Sequence, residues 1–388
     1  MPTATSQRRL SQIAPLILQS EIRSMSVECD RIGGVNLAQG VCDTELPPPA
    51  AHGAIDAINR GLNTYTRLDG IAPLRAAIAA KLATYNGIHA DPEAEILVTS
   101  GATGALYTAA LALLDPGDEV VLFEPFYGYH WNTMLSLRAV PVAVTLDAPR
   151  WHLDIGRLRA AITPRTRAII VNTPSNPCGK VFSLEELQAI AALAIEHDLF
   201  VFTDEIYEYF LFDGRRHTSL ATLPGMAERT ITTFTFSKTY GMTGWRAGYT
   251  VAKEPFMTGL RKLVLYSTNG VTTPVQYAMI EALKTPEAEI ARRREEYRKR
   301  RDLLVAGLNA VGLECEPPAG AFYAFPNAEK IHKSSRVAAE ILLEKAHIAT
   351  IPGVVFGAQG EGHLRFGYAV TLPEIEGCVE TLHKFFGK

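Results

Sequence analysis

The sequence lacks the features that mark several classes of protein. Its 388 residues include only five cysteines, which are widely spaced and form no C-x-x-C pair. This argues against a disulfide framework or a thiolate zinc site and fits a reducing compartment. The 38 basic residues do not outnumber the 41 acidic ones, so the basic excess that binding nucleic acid requires is missing. The longest apolar runs, such as residues 105–114, are about half the length of a membrane span.

The N-terminus does not complete a targeting signal. Arg8 and Arg9 resemble a twin-arginine pair, but Gln12, Pro15 and Gln19 interrupt the stretch that follows, and it ends in no small-residue cleavage site. We therefore expect a mature N-terminal segment and a cytoplasmic protein that contacts neither membrane nor nucleic acid. No metal site is expected.

The apolar residues, by contrast, are abundant and ordered. They make up 47% of the chain, enough for a large packed core. In the first two thirds, β-branched apolar runs alternate with helical stretches, a pattern typical of an α/β fold with a mostly parallel sheet covered by helices on both faces. The predicted strands are 95–99, 119–123, 140–146, 167–172, 199–204 and 230–236.

The last third has a different pattern. A long charged helix is predicted over 286–311, and two short apolar segments, 321–325 and 363–369, follow it between further helices. We expect a large domain over residues 46–280. The N-terminal arm (1–45) and the C-terminal third (281–388) would together form a smaller α+β domain.

Polar residues at the ends of the predicted strands are the candidates for chemistry, because ligands bind beyond the carboxyl ends of strands in doubly wound sheets. Asp204 and Lys238 each end or follow a buried strand. A buried carboxylate needs a partner, and a lysine in this place is a candidate nucleophile. Gly101, Ala102 and Thr103 open a helix directly after a strand, where free N–H groups can hold a phosphate.

Two loops add to this set. Tyr127 lies on an aromatic loop, where it is either a stacking residue for a planar ligand or a core aromatic. Asn172 and Asn176 lie on a proline-rich loop after another strand. One cofactor, pyridoxal phosphate, needs all of these features together. They are a lysine, an acid, a phosphate turn, a stacking aromatic, and an asparagine with a tyrosine, here Asn176 and Tyr207.

Four motifs carry a resemblance to a known family. They are SKTYGMTGWRAGY (237–249), NTPSNPCGK (172–180), TDEIY (203–207) and HLRFGYA (363–369). Over nearly its whole length the chain resembles the class I/II aminotransferases of the fold-type I pyridoxal-phosphate superfamily. The resemblance implies a homodimer whose substrates are small molecules, namely amino acids and 2-oxo acids.

The resemblance also implies roles for residues around the cofactor. Lys238 would form a Schiff base with it, and Asp204 would pair with the pyridine N–H. Tyr207 and Asn176 would donate hydrogen bonds to the phenolic oxygen, and Tyr127 would stack on the ring. Lys238, Asp204 and Tyr207 are therefore the implied catalytic residues.

The phosphate and the substrate have implied partners of their own. Tyr65 would reach the phosphate bound in the other subunit. The substrate α-carboxylate would be bound by Arg365, a bidentate role suited to a guanidinium. The remaining phosphate ligands would be Gly101, Ala102, Thr103, Thr235 and Arg246, and the remaining substrate ligands Gly40, Asn172 and Asn176.

The implied activity is a ping-pong transfer of an amino group from an L-amino acid to a 2-oxo acid. The alternative on the same fold is a pyridoxal-phosphate lyase or side-chain-modifying enzyme. A non-catalytic regulator would carry an N-terminal module of domain size, and only about 45 residues precede the large domain. The aromatic residues Tyr127, Tyr129, Trp131 and Phe356 favour amino donors of aromatic, methionine or kynurenine type.

Overall fold

A computed structural model describes residues 11–17 and 21–387, so the Arg8–Arg9 pair lies outside the described residues. Helices and strands alternate up to about residue 250, and helices dominate after it. The α-helices are α1 Glu21–Ile32, α2 Pro48–Asn59, α3 Ala72–Lys81, α4 Gly101–Leu113, α5 Gly128–Ser136, α6 Ile155–Ala161, α7 Leu184–Glu196, α8 Phe256–Ser267, α9 Thr273–Ala282, α10 Glu287–Val311, α11 Ser335–Ala346 and α12 Leu372–Phe385.

Eight strands form the central sheet in the order β2-β9-β8-β7-β6-β3-β4-β5. Neighbours from β8 to β4 are parallel, while β9 runs antiparallel to both β2 and β8. The strands are β1 Val35–Asn36, β2 Ile96–Ser100, β3 Glu119–Glu124, β4 Val140–Asp147, β5 His152–Leu153, β6 Thr166–Asn172, β7 Phe200–Asp204, β8 Thr230–Thr235, β9 Ala247–Val251, β10 Tyr323–Ala324, β11 Ile348–Ala349, β12 Ile351–Pro352 and β13 Leu364–Gly367. The predicted mostly parallel α/β architecture is confirmed.

Strand direction decides where the site forms. Because β2 and β8 both run antiparallel to β9, the carboxyl ends of β2, β6, β7 and β8 all lie at one edge of the sheet. The amino end of β9 lies at the same edge, where Ala247 is paired with Ser100. Sequence analysis did not predict β9, which interrupts the parallel series and carries Arg246 to this edge.

A second group of elements packs beside the edge. Strands β10, β13 and β12 form a small antiparallel sheet, and β1 pairs with β11. An apolar cluster built mainly from residues after Tyr297 packs around these strands and takes in Leu37 and Tyr207 from earlier in the chain. The N-terminal arm and the segment after β7 therefore pack against the C-terminal elements in one apolar cluster.

Neither a membrane-spanning helix nor a metal cluster is found in the part of the chain that the structure describes. No helix there is both long and apolar enough to cross a bilayer. Nor do the His, Cys, Asp and Glu side chains described there form a group of three that could hold a metal ion.

The loop that follows β6 is held by a buried ion pair. Lys180 ends this loop, and its Nζ lies 2.7 Å from Glu186 Oε1 and 2.9 Å from Oε2. Glu186 also completes a capping box with Ser183 at the start of α7. The same carboxylate therefore caps the N-terminus of α7 and holds the loop that carries Asn172 and Asn176.

We expect Glu186→Ala to lower the free energy of unfolding by about 3 kcal/mol, because it leaves the Lys180 ammonium buried without its partner. Denaturant unfolding measures this change. The matched control is Glu185→Ala, which removes the neighbouring exposed carboxylate. An equal loss of stability in the two variants would show that the Lys180–Glu186 pair does not hold the loop.

Candidate active site

A cavity of about 350 Å³ opens at the edge of the sheet where the carboxyl ends meet. Most of the site residues predicted from the sequence line it, although they come from segments far apart in the chain. These are Gly40, Ala102, Thr103, Tyr127, Asn176, Asp204, Tyr207, Thr235, Lys238, Arg246 and Arg365.

The other three predicted residues lie outside the lining. Gly101 packs behind it, against the Arg246 guanidinium. The Asn172 side chain is occupied within the fold, since its Nδ2 donates to the Asp204 carbonyl at 3.1 Å and its Oδ1 accepts from the Asn176 N–H at 2.8 Å. Tyr65 is 88% exposed on the surface and does not approach the cavity of its own chain.

The Asp204 carboxylate is buried where β7 ends. His130 Nε2, from α5, lies 2.9 Å from Asp204 Oδ2, and the Ile206 N–H donates to Oδ1 at 3.4 Å. These contacts fix the orientation of the carboxylate toward the cavity, which a desolvated charge requires. His130 itself is buried, with its ring edge-on to Tyr127 at 5.4 Å between centroids.

Lys238 enters the cavity from the segment after β8. Its side chain is half-buried, and its Nζ donates to the Gly40 carbonyl at 2.6 Å. The ammonium also lies 5.4 Å from the Phe322 ring centroid and 5.7 Å from that of Tyr207. The amine is therefore held by a backbone carbonyl and two aromatic rings, and Lys238 lines the cavity.

The start of α4 and the start of β9 form an anion cradle at the other end of the cavity. Gly101 has a φ of 69°, and a Cβ on it would overlap the Arg246 guanidinium. Arg246 has a φ of 52° and donates from Nη1 to the Thr243 carbonyl at 3.0 Å. The Thr235 and Ser237 hydroxyls, 3.0 Å apart, lie beside the start of β9, where Thr235 donates to the Ala247 carbonyl at 3.1 Å. Helix N–H groups, hydroxyls and an arginine together match an oxyanion such as phosphate.

Arg365, on β13, supplies a buried cation on the small-domain side. It is 1% exposed, and its Nη1 donates to Asn176 Oδ1 at 2.9 Å while its Nη2 donates to the Ala38 carbonyl. Its guanidinium carbon lies 4.5 Å from the Tyr323 ring centroid. Among the described residues, its Nε has no hydrogen-bond partner. The contacts described there are all with neutral groups, so this desolvated charge lacks an anion that a bound carboxylate would provide.

Tyr207 is the third predicted catalytic residue, and it is only 2% exposed. Burial is the main reason that its pKa is raised well above the ordinary value, so the hydroxyl stays protonated and can donate. Its oxygen lies 2.9 Å from the hydroxyl oxygen of Tyr323.

Sequence reasoning missed His130, Ser237 and Tyr323, all of which line the cavity. Two signals were available, since Ser237 directly precedes Lys238 and His130 ends the aromatic loop already singled out for Tyr127. Nothing in the local sequence of β10 marked Tyr323.

The aromatic residues expected around a substrate divide into two pairs. Tyr127 and Tyr129 line the cavity and stack on each other with their centroids 4.7 Å apart. Trp131 instead stacks on Phe126, and Phe356 is buried in the core beneath Arg365. Only Tyr127 and Tyr129 therefore support the interpretation that aromatic surroundings favour amino donors of aromatic, methionine or kynurenine type.

Comparisons with known proteins agree with this geometry. The profile of the family described as aminotransferase class I and II matches residues 32–382. The aromatic-amino-acid aminotransferase 2 of Thermococcus litoralis is 35% identical over 379 residues, which is 97% of each chain.

Two solved structures share the fold over nearly the whole chain. The aspartate aminotransferase from Thermus thermophilus with maleate has a TM-score of 0.92 and 36% identity, covering 97% of this chain and 99% of that one. The N-succinyldiaminopimelate aminotransferase from Mycobacterium tuberculosis also has a TM-score of 0.92, with 37% identity over 96% and 99%. These names favour amino-group transfer over the lyase alternative. The chain belongs to the class I and II aminotransferases, fold-type I enzymes that move an amino group between an amino acid and a 2-oxo acid.

Proposed function

We propose that this aminotransferase binds pyridoxal phosphate in the cavity at the carboxyl edge of its sheet and alternates between an L-amino acid and a 2-oxo acid in a ping-pong cycle. The observation that carries the proposal is that Lys238, Asp204 and Arg365, distant in sequence, all face one cavity. A nucleophilic amine, a buried acid and a free buried cation are what the cofactor and a carboxylate substrate need.

The residues present fit the cofactor at each end. The close approach of the Arg246 guanidinium to Gly101, which a Cβ would block, supports a phosphate held by the start of α4 together with Thr235 and Arg246. Asp204 would hold the proton on the pyridine nitrogen. Asn176 and Tyr207 would contact the phenolic oxygen, and Tyr127 would contact the ring face. Ala102 and Thr103 would be the remaining phosphate ligands.

When bound, pyridoxal phosphate supplies an electron sink for the bond broken at the substrate Cα. Side chains of the protein move the proton at that carbon. Lys238 Nζ, free of its contact with Gly40, acts as the general base that removes it and later returns it. Asp204 keeps the opposite end of the site negatively charged, and His130 holds that carboxylate in place.

Arg365 would orient the substrate. Its unpartnered Nε and the two nitrogens now bound to Asn176 and Ala38 lie where a planar carboxylate can accept two hydrogen bonds. Binding a carboxylate here also compensates the desolvated charge. The Gly40 backbone is a further proposed substrate contact. Asn172, whose amide is engaged by Asp204 and Asn176, would contribute by holding the Asn176 backbone in place.

The proposal includes a cytoplasmic homodimer. Tyr65 is a large aromatic side chain with 88% of its surface exposed, which supports a role outside its own chain, at the phosphate of the other subunit. We also propose the division into a large domain, residues 46–280, and a small domain, residues 1–45 and 281–388. Part of the arm, residues 1–10 and 18–20, lies outside the described residues.

Borohydride reduction of the purified holoenzyme is expected to fix the cofactor on one peptide, the one that contains Lys238. Peptide mass spectrometry identifies the labelled residue. Lys238→Ala serves as the control, since it should retain no reducible cofactor. Labelling of another lysine, such as the half-buried Lys81, would contradict the assignment.

Asp204→Ala is expected to keep bound cofactor but to lower kcat at least a hundredfold, which is about 2.7 kcal/mol of transition-state stabilisation. Steady-state kinetics and cofactor absorbance measure the two effects. Asp147→Ala is the matched control, because Asp147 likewise ends a strand of the central sheet, β4, but lies outside the cavity. A kcat within tenfold of the wild-type value would mean that Asp204 is structural.

Arg365→Lys keeps the charge but removes the planar fork, so KM for every amino and 2-oxo acid should rise about 10- to 100-fold. Cofactor absorbance should barely change. Arg301→Lys is the control, since Arg301 is equally buried but pairs with Asp213 outside the cavity. If only one class of substrate weakens, Arg365 contacts a side chain and not the shared carboxylate.

Sedimentation at assay concentration should give a mass near twice the 42.4 kDa of one chain. Tyr65→Phe should speed cofactor loss, because it removes a hydroxyl from the proposed phosphate contact, whereas Tyr266→Phe, an 85% exposed tyrosine, should not. A fully active monomer would refute both the dimer and the role of Tyr65.

A further inference from the structure

Tyr323 contacts both halves of the proposed site. It lies on β10, whose backbone is paired with β13, the strand that carries Arg365. The side chain is 1% exposed and lines the cavity. Its position links the residues proposed to bind the cofactor with those proposed to bind the substrate.

Three contacts fix the side chain. Its hydroxyl oxygen lies 2.9 Å from that of Tyr207, and its ring lies 4.5 Å beneath the Arg365 guanidinium carbon. The hydroxyl also packs against the Cα of Gly40, where a Cβ would overlap it. These contacts fix the position of the Tyr323 hydroxyl, whereas a tyrosine that only fills space would not need its hydroxyl held.

The direction of the tyrosine–tyrosine hydrogen bond follows from proton counting. Each hydroxyl has a single O–H. If Tyr207 donates its proton to the phenolic oxygen of the cofactor, its own oxygen must accept the proton of Tyr323. A donor that itself accepts a hydrogen bond is polarised and donates more strongly.

We propose that Tyr323 is a positioning residue that strengthens Tyr207 as a hydrogen-bond donor to the cofactor while its ring supports the Arg365 guanidinium. The inference rests on the proposed function, because it requires pyridoxal phosphate in the cavity. It also explains why residue 40 is glycine, since a larger residue would displace the Tyr323 hydroxyl.

The test is a pH titration of the cofactor absorbance in the holoenzyme without substrate. A donor at the phenolic oxygen stabilises its negative charge, so a weaker donor lets the bound cofactor keep its proton to higher pH. Tyr323→Phe should therefore raise the midpoint by about half a pH unit, roughly a threefold change in proton affinity. The other charged or titratable groups facing Tyr207 are Lys238, Asp204 and Tyr127, and this substitution leaves them in place.

A double-mutant cycle identifies the route of the effect. If Tyr323 acts through Tyr207, then Tyr323→Phe should shift the midpoint in the wild-type background and leave it unchanged in a Tyr207→Phe background. KM for amino donors should stay within about twofold of the wild-type value, because phenylalanine keeps the ring beneath Arg365. Tyr368→Phe is the matched control, since this buried tyrosine donates to the Ala321 carbonyl outside the cavity.

Three results would overturn the proposal. These are an unchanged midpoint in Tyr323→Phe, an equal shift in the Tyr207→Phe background, and an equal shift in Tyr368→Phe. Failure of the proposed function is distinguishable from all three, because wild-type protein reconstituted with pyridoxal phosphate would then show no cofactor band to titrate.

Discussion

The proposed site depends on the hydrogen bonds that hold the Asp204 carboxylate in one orientation at the buried end of β7. A desolvated carboxylate is costly unless it is hydrogen-bonded, and here His130 and the Ile206 N–H hold one oxygen each. The Asp204 backbone carbonyl is also used, because it accepts hydrogen bonds from the Asn172 side chain and the Thr173 N–H. Loop 172–180 is thereby tied to the same strand end that presents the acid.

Strand direction brings the remaining groups to that acid. The carboxyl ends of β2, β6, β7 and β8 share one edge, and the antiparallel β9 delivers Arg246 to it from the opposite direction. The small antiparallel sheet then places Arg365 and Tyr323 across the cavity. The cavity is thus bounded by two sheets, one that gathers the proposed cofactor ligands and one that provides the cation proposed to bind a carboxylate.

Much of this was accessible from sequence because strand ends are local features. Buried β-branched runs predicted the strands, and the polar residues at or just beyond their carboxyl ends gave Asp204 and Lys238 as candidates. The missed residues depend on contacts that no local pattern encodes. His130 meets Asp204 across 74 residues, and Tyr323 meets Tyr207 across 116. Strand β9 was missed because it lies in the loop-like motif after Lys238, and Tyr65 stays a prediction because its proposed partner is another chain.

The most direct test of the account is a single half-reaction. Purified holoenzyme is mixed with an L-amino acid donor and no 2-oxo acid, and the 2-oxo acid and ammonia released are measured against the number of active sites. Amino-group transfer at one Lys238 site predicts about one 2-oxo acid per chain, no ammonia, and a cofactor that then needs an acceptor before reacting again. Continued release of ammonia and 2-oxo acid without an acceptor would contradict the account and would instead make the protein a lyase.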